Sequence, residues 1–184
     1  MTRMKAAVLT MAALLCTAGA RTAAAQEMPA LPKPGPEHEV LKSEAGTWDA
    51  KIETMTPNGA MTSSGVETAT MGCGGLCLIT EFKGEMMPGM AFEGHGLSAY
   101  DSRKQKYVGT WTDSMSQGLM ISESTWDPAA KTMTATMEGP DMTGAGGTVK
   151  YKAVSEMKDP STRVFTMYNP DGAVGMRITY TRKK

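Results

Sequence analysis

Histidine is nearly missing from this sequence. His38 and His95 are the two in 184 residues, and neither belongs to a His-Glu-x-x-His pair, which excludes that kind of zinc hydrolase. No Gly-x-Ser-x-Gly elbow occurs, so the nucleophilic serine of an α/β-hydrolase is excluded as well. Haem is not expected, because barrels that hold it through a late histidine would find none after His95. Only Met or Tyr would remain as an axial ligand. Aromatic residues are few, at 6%, and leucine and isoleucine are sparse.

Long apolar runs are also lacking. The longest, Ala6 to Leu15, is too short to span a bilayer. Behind Arg3 and Lys5 and ahead of small residues, it reads as a secretory signal over residues 1–25. Ala18-Gly19-Ala20 and Ala23-Ala24-Ala25 both fit the cleavage rule; the second is preferred and leaves Gln26 as the new N-terminus. Cys16 does not suit lipidation, since Leu15 stands where a small residue is needed. The expected location is therefore the periplasm or the extracellular space. Cleavage removes three basic residues and no acidic one, leaving 16 basic against 19 acidic, a formal charge of −3. Nucleic acid is not an expected partner, because the remaining basic cluster is the tail Arg182-Lys183-Lys184. No membrane span is expected. Enzymatic activity is the minority reading.

What the chain has in excess is methionine, 18 in all, of which 15 follow residue 25. Met can act as a flexible core filler or as a thioether ligand for a soft metal.

Residues 26–35 form a Pro-rich leader, and 36–184 are long enough for a single domain. Pro36 opens a short helix with Glu37 and Glu39 at its positive end and Gly46 as its stop. From Trp48 the apolar period becomes two, and it returns nine more times between turn-forming segments such as Pro57-Asn58-Gly59, Asp127-Pro128-Ala129-Ala130 and Pro170-Asp171-Gly172. The fold class is thus all-β. About ten antiparallel strands in up-and-down order have two raw edges unless the sheet closes into a barrel.

Several blocks carry a resemblance: Gly35 to His38, Gly46-Thr47-Trp48, Gly94 to Asp101, Thr110 to Ser116 and Ile178 to Lys183. In this combination and order the chain resembles the bacterial domain-of-unknown-function family fifteen seventy-nine. That resemblance implies a calycin-like barrel and transfers no catalytic or binding residue. A fold-level similarity to lipocalins adds a cation, Arg177 or Arg182, lying over the indole of Trp48.

Candidate chemistry falls in four places. Cys73-Gly74-Gly75-Leu76-Cys77 can be a disulfide if the glycines turn the chain back, a pair of free thiols, or a redox or metal pair. Met86, Met87 and Met90 with His95 form a soft donor set suited to copper(I), although Pro88 and Gly89 read equally as a hairpin turn. Glu81, Asp113 and Glu123 could meet inside a barrel, although acidic groups on strands are more often solvated. Trp48, Trp111, Leu119, Ile121, Met133, Met137, Val149, Tyr151 and Ile178 are expected to line one interior. Small residues such as Ala50, Gly65, Gly94, Gly96, Gly109 and Ala135 favour space there, whereas Met favours filling it. The leading expectation is a small apolar ligand in the barrel. The alternative is a cavity-poor barrel whose surface meets another envelope protein. N-terminal sequencing of exported protein should return Gln26; a lipidated Cys16 would overturn the export reading.

Overall fold

Strand periodicity and short turns dominate the chain, and the computed structural model, which describes residues 30–87, 89–141 and 146–184, resolves them into a closed barrel. Helix α1 (Pro36–Glu44) precedes ten strands: β1 (Gly46–Thr56), β2 (Gly59–Gly72), β3 (Cys77–Met87), β4 (Met90–Asp101), β5 (Lys106–Asp113), β6 (Met120–Asp127), β7 (Thr132–Pro140), β8 (Thr148–Asp159), β9 (Thr162–Tyr168) and β10 (Val174–Arg182). Each strand pairs antiparallel with its sequence neighbours, and β1 pairs with β10 to close the sheet. No edge is left to template aggregation. The expected all-β up-and-down barrel with one short N-terminal helix is therefore what forms. No helix among the described residues is long and apolar enough to cross a membrane. The segment 1–25, with its cleavage site, and most of the leader lie outside the described residues, as does Pro88.

Closure depends on α1 and on a knot around Trp48, which is fully buried. Pro36 starts the helix, and the Gly35 N–H donates to His38 Nδ1 at 3.0 Å. His38 is therefore spent as a cap. Leu41 packs with Ala69, Leu78 and Tyr107, so the helix covers the barrel end where β1, β3 and β5 begin. Trp48 Nε1 donates to the Glu44 carbonyl at 2.9 Å, and Tyr107 Oη donates to the Glu37 carbonyl at 3.0 Å.

The guanidinium of Arg182 lies 4.1 Å from the centre of the Trp48 ring and donates to the carbonyls of Ala45, Ser43 and Pro160 at 2.6, 2.8 and 3.0 Å. The cation over Trp48 is thus Arg182, with Arg163 at 5.2 Å as a second; Arg177 faces outward. The helix ends at Glu44 with Ala45 as its C-cap, so Gly46 follows directly as the expected stop. Gly46 opens β1 at φ +136°, and a Cβ there would collide with the Arg182 guanidinium. Glycine is needed for the close approach.

Arg182→Met should lower the unfolding free energy by about 2 kcal/mol, since it removes charged hydrogen bonds and a cation–π contact together. Gly46→Ala should act in the same direction by displacing the same guanidinium. Urea unfolding followed by tryptophan fluorescence would measure both, and a loss below about 0.5 kcal/mol in each, the size of a bland surface change, would exclude this lock.

Candidate functional site

Alternation along the strands sends one face of each inward, and the inward residues enclose a cavity of about 290 Å³. Trp111, Met133, Met137 and Ile178 line it, as expected from sequence. Trp48 and Tyr151 are buried in the surrounding core, and Val149 packs against the cluster that contains Tyr151. Two expected lining residues do not join them. Leu119 is 58% exposed and Ile121 48%. Met120 is the inward residue, opposite Trp111; a one-residue difference in parity moves a side chain to the other face. Because Leu119, Met120 and Ile121 are all apolar, the period of two had no polar partner from which to choose the face.

The hollow exists because rings lie against the wall at glycines. A Cβ on Gly65 would strike the Phe82 ring, and one on Gly94 would strike Trp111. Trp111 is held there by its Nε1, which donates to Asp113 Oδ2 at 3.0 Å. Methionine supplies much of the remaining lining through Met86, Met120, Met133, Met137, Met167 and Met176.

At the α1 end the cavity wall turns polar. Arg163 donates to Glu44 at 3.0 Å and to Glu67, and it lies 4.1 Å from the Tyr180 ring centre. Burial pushes the Glu44 carboxyl above its ordinary range, against the pull of Arg163. Burial likewise raises Tyr180, whose hydroxyl is hydrogen-bonded to Glu67. Sequence reading missed this cluster. The available signal was parity: Arg163 shares a strand face with Phe165 and Met167, and Glu67 shares one with Ala69.

The remaining candidates separate. Met86 lines the cavity, whereas His95 and Met90 are exposed and His95 Nε2 contacts Glu93 at 3.3 Å. Met87 is half-buried next to the register shift of the β3–β4 ladder. The four expected copper(I) ligands are thus divided between opposite faces of the sheet. Glu81, Asp113 and Glu123 do not meet either. Glu81 and Glu123 are on the outer face, and Lys104 and Lys106, at 2.6 and 2.8 Å, hold the Glu123 carboxyl down at about 2. Cys73 and Cys77 form a disulfide with Cα atoms 5.6 Å apart across a 3-10 turn, with Gly74 and Gly75 at φ +66° and +92°. Among the described residues no group of three or more His, Cys, Asp or Glu side chains is placed to hold a metal.

Arg163→Met should cost about 3–5 kcal/mol, because it leaves two carboxylates without their buried partner. Glu44→Gln tests the sign at the other end of the pair. A carboxyl whose folded pKa is raised favours the fold below its unfolded value and loses that contribution as pH rises through the folded one. Wild-type melting temperature should therefore carry a component that falls above pH 4.5. Glu44→Gln should flatten that component, and parallel pH profiles for the two proteins would overturn the assignment.

The fold is similar to that in the crystal structure of Rv2717c from M. tuberculosis, at 10% identity over 82% of this chain and 99% of that one, with a TM-score of 0.62. Two designed proteins are more distantly similar. One is a de novo fluorescence-activating β-barrel, at 14% identity over 78% and 97% of the two chains, TM-score 0.46. The other is a redesigned barrel, mFAP1, bound to DFHBI, at 15% identity over 78% and 98%, TM-score 0.44. No curated protein matches the chain. A family model described as "Protein of unknown function (DUF1579)" matches residues 33–182, and the chain belongs to that family.

Proposed function

We propose that this barrel is a binding module for a small, predominantly apolar molecule held in its interior. The observation that carries the reading is the cavity of about 290 Å³, walled by Phe82, Phe92, Trp111 and several methionines. Ligand pockets are typically apolar enclosures of about 300–1,000 Å³ with a few polar groups, so this one suits a compact molecule. Burial of such a ligand contributes about 25 cal/mol per Å², less the entropy of holding it, and micromolar affinity is the expected scale. Methionine side chains adapt to different shapes and favour tolerance over exact fit. The signal-like residues 1–25 support an exported site of action.

A specific observation favours a second reading, a surface that meets another protein. Ile79, Leu97, Thr110 and Ile121 are directly paired across β3, β4, β5 and β6, and the three apolar members are 44–48% exposed. This row forms a short apolar stripe on the outer wall.

The two readings are separated by placing bulk inside or outside. With a panel of small hydrophobic compounds read by indole fluorescence and calorimetry, at least one saturable ligand is expected. Met137→Trp and Ala135→Met, which reduce the interior, should weaken it about tenfold or more, the effect of roughly 1.4 kcal/mol. Leu119→Trp, on the outside, should leave it unchanged. No saturable ligand, or equal losses from inner and outer variants, would reject interior binding.

A further inference from the structure

The middle of the cavity wall carries a feature that a plain apolar core would not need. Ser98, Gly109 and Ser122 stand directly opposite one another on β4, β5 and β6. All three line the cavity. A Cβ built on Gly109 would lie 3.1 Å from Ser98 Oγ and 2.8 Å from Ser122 Oγ. The missing side chain therefore leaves a notch bordered by two hydroxyls. Both serines are half-buried, so their hydroxyls are open to the cavity. A half-buried hydroxyl that faces the cavity can donate to, or accept from, an oxygen atom placed in the notch.

Two further features define what could sit there. Trp111 lies two residues from Gly109 on β5. Its six-membered ring spans Gly94 and Gly96; a Cβ on Gly96 would be 3.1 Å from Trp111 Cε3. The ring is thus pressed against β4 and pinned through Asp113, so it presents a fixed aromatic surface beside the notch. The second feature is charge. Arg163 is the one cation among the residues lining the cavity, and Glu44 and Glu67 already accept from it. Only the buried Arg163 Nε is without a hydrogen-bond partner, and a ligand carboxylate that reached it would stand beside the two carboxylates that Arg163 already serves.

Resting on the interior-binding reading, we propose that the barrel selects neutral, flat, oxygen-bearing ring compounds, with the ring against Trp111 and a carbonyl or hydroxyl oxygen between Ser98 and Ser122. The small cavity and the single notch favour one or two fused rings over a long acyl chain.

A matched series on one ring system tests this. Naphthalene, 2-naphthol, 2-acetylnaphthalene and 2-naphthoate would be titrated into the disulfide-bonded protein by calorimetry and indole quenching. 2-Naphthol and 2-acetylnaphthalene should bind about tenfold more tightly than naphthalene, as a pair of net hydrogen bonds permits. 2-Naphthoate should be the weakest. The double variant Ser98→Ala, Ser122→Ala should bring the two neutral oxygenated compounds down to the level of naphthalene while leaving naphthalene itself unchanged, which also serves as the check on folding. Gly109→Ala, by filling the notch, should act in the same way. Equal affinity for naphthalene and 2-naphthol, tightest binding of 2-naphthoate, or an unaltered 2-naphthol affinity in the double variant would overturn the proposal while interior binding stood. Failure of all four compounds to bind would also overturn the proposal, and interior binding would fall with it only if no compound of the hydrophobic panel bound either.

Discussion

Trp48 is the residue on which the closure of this barrel depends. It sits at the start of β1, the strand that must meet β10 for the sheet to lose its edges. Its indole N–H fixes the end of α1, and the guanidiniums of Arg182 and Arg163 lie over its ring. Arg182 then returns to the carbonyls of Ser43 and Ala45. One ring therefore joins the first strand, the last strand, the penultimate strand and the helix. Cation–π contacts and hydrogen bonds to charged groups are each modest alone. Their value here is that they act on elements far apart in sequence, at the place where the sheet would otherwise open.

The hollow interior follows from a second constraint. A ten-stranded barrel with large side chains at every inward position would fill. In this chain glycine or serine stands inward at Gly65, Gly94, Gly96, Ser98, Gly109 and Ser122, so Phe82 and Trp111 can lie along the wall rather than project across the centre. Bulk is pushed aside, and space remains. Methionine then occupies part of that space with unbranched side chains that exchange rotamers at little cost. The abundance of methionine and the existence of a cavity, which looked opposed in the sequence, belong to one arrangement.

The ten strands were legible because period-two patterning and turn residues report local geometry, and both survive in a single sequence. The inward face was legible wherever apolar and polar residues alternate, as around Trp48 and Met137. It failed at Leu119 and Ile121, where three consecutive apolar residues erase the alternation. The copper(I) grouping of Met86, Met87, Met90 and His95 failed for a related reason, since nearness in sequence across a hairpin does not place side chains on one face. Arg163 was not singled out because its partners Glu44 and Glu67 are 119 and 96 residues away. Local patterning carries no trace of such pairings.

The two ends of the barrel differ in what holds them. At the α1 end, Arg163, Glu44, Glu67 and Tyr180 form a buried polar network, and opening it would expose several charges to rearrangement at once. At the opposite end the wall is made of Met86, Phe92, Met120 and Met176, and the ladders slip register beside two of them, between Glu85 and Met87 and between Val174 and Met176, as the β8–β9 ladder also does beside Arg163, between Met157 and Asp159. Register shifts leave backbone groups unpaired and bend the strand. The wall around Trp111 is therefore set by the packing of thioethers and rings, and the wall beneath α1 by charge.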